Sequence, residues 1–146
     1  MNKATNTLLA VAALTALTGT VSAQTESEPH QMLDPAWQQA DELLDGSLNP
    51  QQHSLLNDIA FASAVDSLCE GFKLDRNKFS AEFAKLKHTR SDAMTTEQMD
   101  YFKQHLLFNY GLAVGLFMAE GALDQTGFCQ QAAEQRDDPE ASHLWQ

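Results

Sequence analysis

Two cysteines, Cys69 and Cys129, are the residues of this sequence best suited to a definite chemistry. An even number of cysteines in an oxidising compartment is typical of a disulfide, and two cysteines allow only one pairing. Redox catalysis favours a C-x-x-C spacing, and a zinc site needs further sulfur or nearby histidine; the sequence has neither arrangement. The pair therefore predicts a structural disulfide that closes a long loop.

A second chemically capable group is His105, Asn109 and Tyr110, of which His105 and Asn109 are one helical turn apart and so fall on one face of a helix. Polar groups that enter an apolar helix can bind a ligand or serve acid–base chemistry. More often, such groups hydrogen-bond to neighbouring backbone or to water. Both interpretations stay open, because a general base also needs a partner that only the fold can supply.

Three small residues, Gly111, Gly115 and Ala119, recur at four-residue spacing and therefore form one stripe of the same helix. Such a stripe lets another helix approach closely, or leaves room for a small ligand. Each glycine inside a helix costs about 1 kcal/mol relative to alanine. Two of them in mid-helix indicate that something needs the space, either a neighbouring helix or a ligand.

Other chemistry finds little support in the sequence. The five histidines are scattered, without H-x-x-x-H or H-E-x-x-H spacing, and the acidic clusters lack the alternation of a calcium loop. There is no C-x-x-C-H haem motif, no G-x-S-x-G or S-x-x-K nucleophile motif and no glycine-rich phosphate loop. We therefore predict no catalytic residue, no metal and no cofactor, and a protein that is not an enzyme.

The N-terminus has the pattern of a cleavable signal peptide over residues 1–23. It carries Lys3, a short apolar core from Leu8 to Leu17, and small residues at Val21 and Ala23. The apolar core is too short to cross about 30 Å of hydrocarbon. The pattern predicts a periplasmic or secreted protein without a stable membrane anchor.

The chain is strongly acidic, with a formal net charge of −11. The predicted signal peptide holds one of the nine basic residues and none of the twenty acidic ones, so its removal leaves the chain more acidic still. This balance argues against binding to nucleic acid or to anionic lipid, since both require Lys and Arg on phosphates. It favours solubility and permits a basic partner.

Start signals place five helices along the rest of the chain, after a flexible N-terminal tail over 24–33. We expect a helical domain over 34–133 and an acidic C-terminal tail over 134–146. The predicted starts are Asp34-Pro35, Asn49-Pro50, a cap at Asp75, a capping box at Thr95 and Gln98, and a short last helix near Phe128-Cys129. The fold class is therefore all-α: a small bundle of four to five helices closed by one disulfide.

The fourth helix is predicted to reach about Leu123 and is apolar nearly all round between Leu106 and Ala119. That run is short for a membrane span and contains Asn109, so we expect a central, buried helix.

The end of the chain carries Leu144 and Trp145. They form either an exposed interaction tail or a segment that folds back into a groove between helices.

In organisation the chain resembles the small periplasmic acid-stress chaperones, in the segment from Leu68 to Phe72 and around Cys129. The resemblance implies a helical body with one disulfide and a chaperone function, although this chain is longer and poorer in lysine. It is similar at the same level to helical, disulfide-bonded immunity proteins of secreted amidases. We predict a non-enzymatic protein that binds another periplasmic or extracellular protein, as an inhibitor, an immunity protein or a stress chaperone. The alternative is a small-ligand carrier or sensor that uses a groove along the Gly111/Gly115 face.

Overall fold

The computed structural model describes residues 33–44, 46–138 and 144–146. These residues form five α-helices: α1 Asp34–Leu44, α2 Pro50–Leu68, α3 Arg76–Phe83, α4 Thr96–Leu123 and α5 Gln125–Asp137. Over the described ranges, extended pairing is limited to one isolated bridge between Leu74 and Trp145. The predicted all-α class is confirmed. The predicted signal peptide, and all but the last residue of the predicted tail 24–33, lie outside the described residues.

Capping boxes explain why α2 and α4 begin where the sequence predicts. The Asn49 side chain accepts a hydrogen bond from the Gln52 backbone N–H at 2.9 Å, and the Gln52 side chain accepts one from the Asn49 N–H at 3.2 Å. Thr95 and Gln98 form the same reciprocal pair at the start of α4. Each box satisfies backbone donors that the first turn of a helix leaves without a partner.

The last helix begins earlier than predicted, at Gln125 instead of near Phe128. Asp124 alone separates α4 from α5, since it is the C-cap of the first helix and the N-cap of the second. Its carboxylate accepts a hydrogen bond from the Gly127 N–H at 3.0 Å. This cap starts α5 despite the weak helix propensity of Thr126 and Gly127. α5 then extends to Asp137.

The centre of the core is α2, whose residues Leu56, Ile59, Ala60, Ala64 and Val65 are 0 % exposed. Helices α3, α4 and α5 all contact α2, so neighbours surround much of its surface. α4 also packs against α1 and α5, but these neighbours leave one of its sides uncovered. The expectation that α4 is buried all round is therefore wrong for that side.

The predicted disulfide is present between Cys69 and Cys129, whose Cα atoms are 5.6 Å apart. Cys69 is the C-cap of α2, and Cys129 lies in α5. The chain between them contains α3 and α4, so the bond joins the two elements that flank this helix pair. A disulfide at this position is compatible with an oxidising, exported location.

The end of the chain returns to the core. Leu144 and Trp145 are only 3 % and 4 % exposed, and Trp145 Nε1 donates a hydrogen bond to the Ala62 carbonyl at 3.1 Å. Two backbone hydrogen bonds of 2.7 Å tie this end to residues 73–75. Of the two alternatives for this segment, the structure shows that the segment folds back against the helices. Leu144 and Trp145 are not an exposed interaction tail, because their apolar side chains complete the core.

Candidate functional site

His105 and Asn109 are neighbours on α4, as their spacing predicts. Asn109 is 2 % exposed, and its Nδ2 donates to the His105 carbonyl at 2.9 Å and lies 3.3 Å from His105 Nδ1. Its Oδ1 has no hydrogen-bond partner among the described residues. No hydrogen bond or ion pair within those residues joins either side chain to a carboxylate. The contact is local to one helical turn and does not assemble an acid–base pair.

Gly111 and Gly115 face open space. A Cβ atom added at either position would meet no heavy atom within 4 Å. Neither glycine lines the polar cleft, the lysine cleft or the acidic cleft beside α2, α4 and α5 that are described below, and Ala119 is half-buried. Within the described residues, the two glycines therefore do not pack against another helix.

The two glycines lie in the middle of an exposed apolar surface, which we call the α4 face. Its members share one side of the helix by three- and four-residue spacing: Leu107, Phe108, Gly111, Gly115 and Met118. The exposed fractions are 58 % for Leu107, 61 % for Phe108 and 37 % for Met118. Single exposed apolar residues are normal, whereas several on one side of a helix make that side a candidate surface for binding a partner or a ligand.

By length and composition alone, α4 is the one described helix that is apolar enough to cross a membrane. Only 22 % of its most apolar 18-residue window is buried. A core helix of a soluble protein would be mostly buried, so the apolar character of α4 exceeds what the fold covers. At the same time, α4 packs against three other helices and contains the buried polar residue Asn109.

Two clefts open beside the first half of α4 and share His88 and Phe102. The first, which we call the polar cleft, has a volume of about 470 Å³ and includes Arg90, Glu97 and His105. The second has a volume of about 330 Å³, and we call it the lysine cleft. Its lining is Phe83, Leu86, Lys87, His88, Ser91, Met99, Phe102, Lys103 and Leu106.

The loop between α3 and α4, which contributes to both clefts, is tied to the start of α2. Gln52 Nε2 donates hydrogen bonds to the carbonyls of Lys85 at 3.2 Å and Lys87 at 2.9 Å. Farther along, the Thr89 N–H donates to the Ser47 carbonyl at 3.3 Å. These bonds hold the loop that carries His88, a residue that lines both clefts.

A third cleft, of about 490 Å³, lies between α2, α4 and α5 and is acidic. It brings Asp58, Glu134 and Asp138 together near the rings of Phe61 and Phe117. Burial raises the pKa of Asp58 above its usual range. Within the described residues, no three His, Cys, Asp or Glu side chains are grouped so that they could hold a metal ion.

Another glycine of α4, Gly121, has the packing function that the sequence suggested for the Gly111/Gly115 stripe. A Cβ atom there would lie 2.6 Å from Leu68 Cδ1 and 3.0 Å from Phe128 Cδ1. The absence of a side chain at Gly121 thus lets α2 and α5 approach α4. Sequence reasoning missed this residue, and the only signal for it was the helix-propensity cost of one more glycine.

The chain matches no protein-family model, no curated protein and no solved structure. Its function therefore has to be argued from the chemistry and geometry of the surfaces described above.

Proposed function

We propose that this protein is non-enzymatic and acts by binding another protein through the α4 face. The observation that carries the proposal is the exposure of Leu107 and Phe108, at 58 % and 61 %, on a folded and disulfide-closed domain. A few side chains at the centre of an interface supply most of the binding free energy, and burial of apolar side chains away from water contributes to it. On the free protein, the same side chains lie in water.

The shape of the α4 face favours a helix as the binding element of the partner. Gly111 and Gly115 leave a shallow gap between the bulky residues Phe108 and Met118. Small residues at four-residue spacing let the axes of two helices approach closely, and the flanking side chains then pack around the crossing point. We expect the partner to present an amphipathic helix whose apolar stripe covers this gap.

Charge favours a basic partner. Helix α1, one of the helices that pack against α4, carries three exposed carboxylates, at Asp34, Asp41 and Glu42. Asp124, at the end of α4, adds a fourth. The whole chain has a net charge of −11. Lys and Arg residues beside the apolar stripe of the partner would be steered towards this surface and would increase the rate of association.

The place of action that we propose is the periplasm or the cell exterior. The signal-peptide pattern of residues 1–23 supports export, and the Cys69–Cys129 disulfide is compatible with an oxidising compartment. An inhibitor, an immunity protein or a stress chaperone would all fit this compartment and this mode of binding. An inhibitor or an immunity protein would bind one specific partner, whereas a stress chaperone would bind many partners weakly.

The test is affinity capture with matched variants of residues 24–146 in the oxidised form. Wild-type protein should retain a stoichiometric, basic protein from the exported fraction of the source cell. Leu107→Gln and Phe108→Gln should each weaken this binding at least about tenfold, since each removes a central apolar contact. Isothermal titration with the purified partner would measure the change.

The control is Leu43→Gln, which makes the same chemical change at a side chain of α1 that is 39 % exposed. It should bind the partner with wild-type affinity. Equal capture by all four proteins would place the partner elsewhere and refute the proposed surface. Many weak partners would instead point to a chaperone, and loss of a wild-type dimer in the variants would identify the α4 face as an interface between two copies.

A further inference from the structure

The basic residues of this acidic protein are clustered in one stretch of the sequence, and two of the nine, Lys87 and Lys103, line the lysine cleft. Six of the nine Lys and Arg residues lie between Lys73 and Arg90, a segment that includes α3 and the start of the following loop. Lys103 on α4 lines the lysine cleft together with Lys87. The local charge is thus opposite in sign to the net charge of −11. The lysine cleft therefore attracts negatively charged molecules, whereas the acidic remainder of the surface attracts positively charged ones.

The lysine cleft has an apolar floor. Leu86, Phe102 and Leu106 are 5 %, 6 % and 5 % exposed, and half-buried Phe83 and Met99 complete its walls. Its volume of about 330 Å³ falls at the lower end of the range for small-molecule sites. An alkyl chain or a small ring that enters the cleft would exchange water for contact with these side chains.

Its two lysines are available to a ligand. Lys87 forms no ion pair within the described residues, and Lys103 Nζ lies 3.5 Å from Asp100 Oδ1 in a pair whose side chains are 64 % and 60 % exposed. An exposed pair of this kind contributes little, so an incoming anion can replace Asp100 at little cost. Lys85, in contrast, is held by both carboxylate oxygens of Glu82 at 2.6 Å.

We infer that the lysine cleft binds an amphipathic anion, a free carboxylate with an alkyl body, whose apolar part lies on Leu86, Phe102 and Leu106 and whose head group pairs with Lys87 and Lys103. The apolar floor selects the body of the ligand, and the two ammonium groups select the sign of its charge. Glu97 lines the polar cleft, Asp100 lies beside Lys103, and Asp92 follows Ser91 of the lysine cleft; all three carboxylates are exposed. This site does not depend on the α4 face and is separate from the proposed protein-binding function.

The test uses dodecanoate below its micelle concentration, with dodecyltrimethylammonium as a cation of the same chain length. Isothermal titration calorimetry should give saturable binding of one dodecanoate, about tenfold or more tighter than binding of the cation. Lys87→Met/Lys103→Met keeps the apolar stems and removes both charges. It should weaken dodecanoate binding roughly five- to tenfold, as expected for the loss of two exposed ion pairs, and should abolish the preference for the anion.

Three further variants locate the site. Ser91→Trp should fill the lysine cleft and abolish binding, with the melting temperature of each variant measured to show that the fold is retained. Lys78→Met removes an exposed lysine of α3 that does not line the cleft, and Leu107→Gln alters the α4 face. Both should bind dodecanoate as the wild type does.

The inference is overturned by absence of saturable dodecanoate binding, or by equal affinity for the anion and the cation. It is also overturned if the folded double-lysine variant binds like the wild type. Loss of binding in Leu107→Gln would transfer the site to the α4 face and contradict it too. Binding only to anionic vesicles, without binding of monomeric dodecanoate, would refute the free-carboxylate site in favour of a membrane surface.

Discussion

Glycines in α4 have two different structural functions, which only the fold distinguishes. Gly115 is exposed, with no heavy atom within 4 Å of an added Cβ, whereas Gly121 is buried against Leu68 and Phe128. The helix-propensity cost of glycine is the same at both positions. At Gly121 that cost is offset by the close packing of α2 and α5. At Gly115 nothing within the described chain offsets it, which is consistent with a function in binding.

Alanine substitutions at these two positions should therefore have opposite effects on stability. Gly115→Ala should raise the free energy of unfolding by about 0.5–1 kcal/mol, because it improves helix propensity without a clash. Gly121→Ala should lower it by about 1–3 kcal/mol, the range for overpacking a core. Urea denaturation of both variants measures the difference. A destabilised Gly115→Ala would show that this glycine already packs against something in the free protein.

The elements of this fold were predictable to the extent that local signals specify them. The caps at Asn49, Asp75 and Thr95 and the end of α4 at Leu123 all follow from side chains that act within one helical turn. The start of α5 was predicted too late, because the Asp124 cap is a subtler signal than the glycine that follows it. Such local patterns predict where a helix begins and ends, but not how the helices pack together.

Which side of α4 is covered depends on contacts that no local pattern encodes. An apolar residue at Leu106 and one at Leu107 look alike in the sequence, yet one is 5 % and the other 58 % exposed. The position of α2 on one side decides this difference, and that position results from packing across the whole chain. The lysine cleft escaped prediction for the same reason, since it combines α3, the following loop and α4.

Gln52 links two elements and offers a test at this scale. Its side chain accepts from the Asn49 N–H in the capping box and donates to the carbonyls of Lys85 and Lys87. Gln52→Ala should lower the free energy of unfolding by about 1–2 kcal/mol, since half of the box and two interelement hydrogen bonds are lost. The control is Gln51→Ala, an exposed neighbour on α2, which should stay within about 0.5 kcal/mol of wild type by thermal unfolding. Equal stability of the two variants would show that the hydrogen bonds of Gln52 do not stabilise the fold.

At the scale of the whole molecule, covalent and non-covalent closures act on the same segment. The disulfide joins the end of α2 to α5, while the chain end at Leu144 and Trp145 packs on α2 and pairs with residues 73–75. Both closures restrain the segment that follows Cys69 and leads into α3. A domain closed in this way can leave apolar residues of α4 in water without unfolding, which a binding protein with a preformed surface requires.

Removal of the disulfide should therefore destabilise the protein strongly. The bond spans a sequence separation of 60 residues, and closing a loop of that length lowers the entropy of the unfolded chain by an amount equivalent to about 4 kcal/mol. Small domains are stable by about 5–15 kcal/mol, so reduction should lower the melting temperature markedly. Calorimetric scans with and without reductant would show it, with thiol alkylation and mass measurement to verify that the bond is broken.

The same reductant should leave the curve of Cys69→Ala/Cys129→Ala unchanged. If the verified reduced protein melts with the oxidised one, the helices and the buried chain end close the domain by themselves, and the disulfide has no structural function.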